Sequence, residues 1–324
     1  MKAPLKRIIV LSDFAISKFS RTVFELGVIA LERLRHSLFK LKEWGAGTGF
    51  LLPSVAGVLL FFIVPFLMLI KISFQKSATI SQFAGLKNYK DVLTNEAFLQ
   101  ACGNTALFTA VTVPAAIVIS LLLALVLNSQ IPGKSTFRSI LLTPMMVPVA
   151  SIVLIWQVVF SFNGVLNGWT YQLFGLERID WMKDHGQLLT MFLFLWKNLG
   201  LNIILFLSAL NNIPQEVVES SLMDGCGPFR RFFSIRLYYL GPTIFFVGIM
   251  SLINSFKIFR EVYLLTGNYP YGKLYTLQHF MNNKFTRLDY TQLSVAAVIL
   301  SIAMMIIVGI LFFIESRIDK SVEE

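Results

Sequence analysis

The sequence predicts an all-α membrane protein. It should have six transmembrane helices, a helix-turn-helix on the cytoplasmic side between the fourth and fifth, and an amphipathic segment ahead of the first. Three observations lead there. Hydrophobic residues make up 56% of the 324 and charged residues only 14%, with a mean hydropathy of +0.69, where a soluble domain carries about 25% charged residues. Apolar runs with few or no charges repeatedly exceed the ~20 residues that take a helix across ~30 Å of hydrocarbon. The net charge of +10 sorts to one side of those runs, as lysine and arginine do in membrane proteins. Together these exclude a disordered chain, a disulfide-stapled scaffold and a secreted soluble enzyme.

Residues 1–47 are basic and amphipathic. Their apolar run from Ile8 to Phe19 is broken by Asp13 and Lys18, and no small-residue cleavage site follows a clean apolar core, unlike a signal peptide. Ile8, Ile9, Leu11, Phe14 and Ile16 alternate with Lys6, Arg7, Lys18 and Arg21, which suits a helix lying on the inner membrane surface. The membrane domain follows over 48–316. Spans are expected at 44–70, within 97–133, and at 139–162, 187–211, 237–256 and 290–314. Each should be an α-helix, because irregular backbone against lipid leaves amides without partners. With the N-terminus inside, sixteen lysines and arginines fall on the inner side and eight in the outer loops. Both termini are therefore expected in the cytoplasm, with 317–324 as a short tail. The positive-inside pattern accounts for the basic excess, so nucleic acid is not an expected partner.

The inner loop over 212–241 is too amphipathic for a plain linker. Pro214 suits a helix N-terminus, and Glu216 and Glu219 place carboxylates at its positive end. Val218, Leu222 and Met223 recur at helical spacing, and the run Gly225, Cys226, Gly227, Pro228 stops the helix. Phe229, Phe232 and Phe233 open a second amphipathic helix that leads back to the membrane.

Three elements of this loop carry a resemblance. Glu219, Ser220 and Ser221, then Asp224, Gly225 and Cys226, then Ile235, Arg236, Leu237 and Tyr238 resemble the coupling-loop signature of ABC importer permeases: Glu-Ala-Ala, Asp-Gly-Ala and Ile-x-Leu-Pro. Tyr238 stands where the family has proline. Further matches are to the carbohydrate, maltose-transporter-like branch. They are Phe83 to Tyr89 with Gly85 and Asn88, Asn104 with Thr105, Phe137 with Arg138, Pro144 with Pro148 and Trp156, Trp196 to Gly200, and Phe259 to Gly267.

The resemblance implies a multi-pass subunit of a bacterial inner membrane, embedded in lipid, that imports a sugar or oligosaccharide. Its implied partners are a second, different permease subunit forming a heterodimer, a dimer of ATP-binding subunits, and an extracytoplasmic solute-binding protein. It implies no enzyme activity and no cofactor in this chain, with ATP and magnesium bound by the partner ATPase. The chain has no Gly-x-x-x-x-Gly-Lys-Ser/Thr phosphate loop. Glu219, Ser220, Ser221, Asp224 and Gly225 are the implied ATPase-coupling residues, with Glu219 ion-paired to the ATPase and Gly225 supplying a tight turn.

Lys197, Asn198 and Leu201 in the fourth span, and Ser251, Asn254 and Ser255 in the fifth, match positions that line the family's sugar path. Lys257 adds a cation beside them. Polar and ionisable groups in a span usually face a cavity or a partner helix. Lys197, Lys257 and Arg260 have only Glu261 near them in sequence, which suggests an anionic, uronate-containing sugar as an alternative to a neutral one.

The rival reading is an ion-coupled secondary transporter. It calls for an internal repeat and a carboxylate or histidine within a span; Glu261, near a span end, is the sole acidic candidate. A membrane-embedded enzyme or metal site is not expected. Cys102 and Cys226 lack ligand spacing, and His36, His185 and His279 are scattered.

Overall fold

A computed structural model describes residues 51–78, 82–129 and 132–323. The amphipathic segment expected over 1–47 and the start of the first span lie outside the described residues. The chain divides into two compact units, up to Met68 and from Leu69 onward. Among the described residues, six helices are long and apolar enough to cross a membrane. Backbone pairing outside helices is limited among them to one isolated antiparallel bridge, Gln75 with Phe83.

The first span is helix α1, Leu51–Ser73, with a π-helical stretch at Leu59–Ile63. After it come α2 (Lys87–Leu93), α3 (Glu96–Asn128), α4 (Lys134–Met146), α5 (Val149–Phe160), α6 (Val165–Phe174), α7 (Trp181–Asp184) and α8 (Gly186–Asn211). The chain then forms α9 (Gln215–Met223) and α10 (Pro228–Arg231), which runs through the π-helical segment Phe232–Arg236 into α11 (Leu237–Phe256). The rest is α12 (Phe259–Thr266), α13 (Leu277–Thr286) and α14 (Tyr290–Glu323).

The third span departs from expectation. In place of a single helix over 139–162, the chain breaks at Val147, which is extended (φ −80°, ψ 133°), ahead of Pro148, and the helical stretch long and apolar enough to cross a membrane is Val149–Phe174. The proline ring clashes with a helical residue before it, so α4 ends and α5 starts afresh. The fifth span is longer than expected, running from Pro228 to Thr266 with a tight turn at Lys257 and Ile258.

Helices α3, α8 and α11 pack against one another as the centre of the second unit. Lipid tails are as apolar as leucine, so helices in a membrane associate through close packing rather than burial from water. Helix α3 supplies the close approach. Ala101, Thr105, Thr112, Ala116, Ser120 and Ala124 are all buried along one face. Its hydroxyls are satisfied locally: Thr105 donates to Ala101 O at 2.8 Å and Thr112 to Phe108 O at 2.7 Å. Helix α8 presents Gly200, where an added Cβ would lie 2.3 Å from the carbonyl oxygen of Leu141 on α4.

The connections after the first and fifth spans are pinned by amide side chains. Asn88 donates to the carbonyls of Ser73 and Gln75 at 2.8 and 2.7 Å, fixing the turn after the first span. Asn104 donates to Gly272 O at 2.6 Å and Tyr275 O at 2.9 Å, and the Leu277 amide donates to Thr105 Oγ1 at 3.0 Å. These bonds tie the segment entering α13 to the second span. His279 completes the α13 cap: its Nδ1 accepts from the Thr276 amide at 3.4 Å and lies 2.8 Å from the Thr276 hydroxyl.

Candidate functional site: a charged cavity and an amphipathic helix-turn-helix

A cavity of about 500 Å³ opens where α8, the end of α11 and α12 meet. Helical spacing explains which side chains reach it. On α8, Phe194, Lys197, Asn198 and Leu201 recur at three and four residues, and across the turn Asn254, Lys257, Ile258 and Glu261 do the same. Met145 of α4 and Gln278 of α13 complete the wall with Phe259 and Arg260.

Lys197 is ion-paired with Glu261, joining α8 to α12. Glu261 is only 4% exposed, and its Oε2 is buried with no hydrogen-bond donor among the described residues. Lys257 and Arg260 are exposed to the cavity mouth, and among the described residues neither makes an ion pair. The Asn254 amide donates to Asn198 Oδ1 at 3.0 Å, while Asn198 donates to Phe194 O at 2.8 Å. The cavity therefore offers amides, apolar surface and two positive charges beyond the one that Glu261 offsets.

Five of the seven expected path residues, Lys197, Asn198, Leu201, Asn254 and Lys257, lie together on this cavity. Ser251 and Ser255 lie behind it, each 1% exposed. Asn202 donates to the Ser251 hydroxyl at 3.2 Å, and the Ser255 and Thr109 hydroxyls are 3.0 Å apart. The remaining lining residues fall outside the expected path. Glu261 has a visible signal, an acid near a span end, whereas Gln278 comes from a short helix between the fifth and sixth spans that no local pattern marks. Trp196 packs on Trp156 at 6.4 Å between ring centres and does not line the cavity.

The expected helix-turn-helix is present. Pro214 caps α9, and Glu216 lies in its first turn. The helix closes as a Schellman motif: Cys226 N–H donates to Ser221 O at 3.0 Å and Gly225 N–H to Leu222 O at 3.1 Å. Gly225 has φ +69°, with nothing within 4 Å of an added Cβ, so glycine is favoured there by backbone conformation rather than by space. Glu219, Ser220, Asp224 and Gly225 are exposed, whereas Ser221 is buried and donates to Val218 O at 2.6 Å. Met223 and Phe229 are 89% and 81% exposed around the turn. Apolar side chains this bare on a rigid, capped turn form a surface suited to a protein partner.

Long helices around a polar cavity, with an amphipathic helix-turn-helix ahead of the fifth span, define a membrane transport subunit. The chain belongs to the family of binding-protein-dependent transport system inner membrane components, whose pattern matches residues 116–324. It is 31% identical over 243 residues to the multiple sugar-binding transport system permease protein MsmF of Streptococcus mutans, covering 74% of this chain and 82% of that protein. With the arabinooligosaccharides transport system permease protein AraP of Bacillus subtilis it is 30% identical over 280 residues, 84% of this chain and 88% of the other. With the trehalose/maltose transport system permease protein MalF of Thermococcus litoralis it is 29% identical over 262 residues, covering 78% and 88%. The fold matches the crystal structure of a bacterial ABC transporter involved in the import of the acidic polysaccharide alginate. That match has a TM-score of 0.75 at 19% identity and covers 86% of this chain and 97% of that one. Family membership bears out the resemblance to ABC importer permeases and leaves the ion-coupled reading without support.

Proposed function

We propose that this chain is one of two permease subunits in an ATP-driven importer of sugars or oligosaccharides. The observation that carries the reading is the cavity between the fourth and fifth spans. Its facing amides, Asn198 and Asn254, hydrogen-bond as a pair and can exchange that bond for sugar hydroxyls. Relatives named for multiple sugars, arabinooligosaccharides and trehalose or maltose support a carbohydrate cargo.

The working assembly adds a second, different permease, a pair of ATP-binding subunits and an extracytoplasmic solute-binding protein, with both termini of this chain in the cytoplasm. ATP and magnesium are bound by the partner ATPase, so this chain supplies the path and not the hydrolysis. The turn from Glu219 to Phe229 docks on the ATPase, with exposed Met223 and Phe229 as apolar anchors and Glu219 as the charged contact. Closure of the ATPase dimer moves the helix-turn-helix as a rigid body. Because α10 runs without a break into α11, that motion tilts the fifth span, which forms one wall of the cavity.

Replacing Glu219→Lys together with Gly225→Pro reverses the charge and distorts the turn. The variant should remain in the membrane yet lose transport and sugar-stimulated ATPase activity in the assembled complex. Uptake near the wild-type level would remove the helix-turn-helix from the mechanism.

A further inference from the structure

The ion pair redistributes the charges of the cavity. Three cations line it, Lys197, Lys257 and Arg260, with one acid, Glu261. The Glu261 carboxylate is committed to Lys197. Lys257 and Arg260 remain, both exposed, and among the described residues neither forms an ion pair. They are three residues apart across the turn between α11 and α12, so both project towards the same mouth of the cavity.

Unpaired cations at membrane depth are costly and persist where water or an anion meets them. A neutral sugar needs only hydroxyl and amide partners and gives two extra positive charges nothing to do. A carboxylate on the sugar ring gives them charge-assisted hydrogen bonds, about twice as strong as neutral ones, and suits the two-pronged guanidinium of Arg260.

Resting on the carbohydrate reading above, we infer that the cavity takes a sugar bearing carboxylates, and that Lys257 and Arg260 read them. Lys197 is not the reader. Its charge is offset by Glu261, so it holds α8 against α12 and keeps the cavity wall in shape. Glu261 serves the same inference from the other side. Without it, Lys197 would form a third attractive point deeper in the cavity, and a carboxylate sugar would have a place to be trapped instead of a mouth to pass.

The test follows occupancy of the cavity itself. Membranes carry the full chain with its co-expressed partners, native cysteines replaced (Cys102→Ala, Cys226→Ala) and Met145→Cys on the cavity wall as the reporter. Maleimide labelling is titrated with trigalacturonate, with its methyl ester, which keeps the skeleton and removes the charge, and with neutral maltotriose. Trigalacturonate should half-protect at a concentration at least about tenfold below its methyl ester, the worth of a hydrogen bond to a charged group. In Lys257→Gln with Arg260→Gln that preference should fall to about one.

Salt provides a second readout that needs no variant. Raising it from about 0.05 to about 0.5 M should narrow the wild-type preference, because partly exposed charges are screened. Equal protection by the acid and its ester, or a preference that survives both substitutions or the added salt, overturns the inference. In that event the two cations serve the second permease or lipid headgroups. Protection by the neutral sugars alone overturns the anionic class and leaves the carbohydrate reading standing. Protection by none of the three overturns both.

Discussion

Lys197 and Glu261 are 64 positions apart in sequence and meet only because α12 folds back beside α8. Removing one partner leaves the other charge uncompensated. Lys197→Met strands a carboxylate that is 4% exposed, at a cost of about 3 kcal/mol by analogy with broken buried pairs. It should therefore lower the amount of folded protein in membranes, and Lys197→Met with Glu261→Leu should restore it. Equal amounts for the single variant and the wild type would show that the pair carries no structural weight. The sequence shows Lys197 as an ionisable group within the fourth span and Glu261 as one near the end of the fifth, but their pairing depends on how two distant helices turn, which no local pattern records. Asn254 was legible as a cavity residue because a polar side chain in a span must face something polar. That Ser251 and Ser255 instead bond behind the wall depends on which neighbour is nearer. His279 lies outside the spans and is 0% exposed, and burial pushes its imidazole down from 6.5 to about 4. A lowered folded value means that both forms are neutral above pH 6.5, where the stability is fully present. Between 6.5 and about 4 the opened segment binds a proton that the closed one refuses, so stability falls with pH. Hydrogen exchange over Leu277–Thr286 should show easier opening at about pH 4.5 than at about pH 7, and His279→Asn should flatten the difference. An unchanged opening equilibrium in the wild type would contradict this account of the buried imidazole.

Helices were the most legible elements, since length and apolarity suffice to mark a span. The second, fourth and sixth expected spans coincide closely with helices, the fifth lies within a longer one, and the third is cut by Pro148, whose effect on Val147 could have been read from the sequence. Helices α2, α7 and α13 are short and polar enough to pass for loop, whereas α6 continues the third span beyond its expected end. Their positions are set by amides such as Asn104 reaching across the fold. Helix packing leads to the sharpest substitution test. Gly200→Ala places a methyl group 2.3 Å from Leu141 O, a backbone atom that cannot swing away. Overpacking of this kind costs about 1–3 kcal/mol, so the variant should melt at a lower temperature in detergent. Gly248→Ala is the control: its Cβ would meet Ile117 Cδ1 at 3.6 Å, ordinary contact. Identical melting of the two variants would contradict the tight crossing of α4 and α8. The turn at Gly225 shows the other route from sequence to structure, where a stop signal in the sequence corresponds to a Schellman closure with positive φ.

At the scale of the whole molecule, the distribution of lysine and arginine predicts the helix-turn-helix and both termini on the cytoplasmic side. Cysteines introduced at the exposed positions Glu177 and Phe285, between spans, should react with an impermeant maleimide from outside, and one at Lys320 only after the membrane is opened. Outside labelling at Lys320 would invert the arrangement. Substrate class was the least legible property, because a charge is visible in sequence while its partner is not. Net charge near the fifth span suggested an anion, and only the Lys197–Glu261 pair identified which cations remain available. The central claim is that this chain conducts sugar when a separate ATPase drives it. Its most direct test is uptake of labelled oligosaccharide into proteoliposomes holding this chain with its co-purified second permease and ATPase, with the binding protein supplied on the outer face. Uptake should require ATP inside and binding protein outside, and should continue when ionophores collapse every ion gradient. Uptake that proceeds without ATP and stops with the ionophores would contradict it.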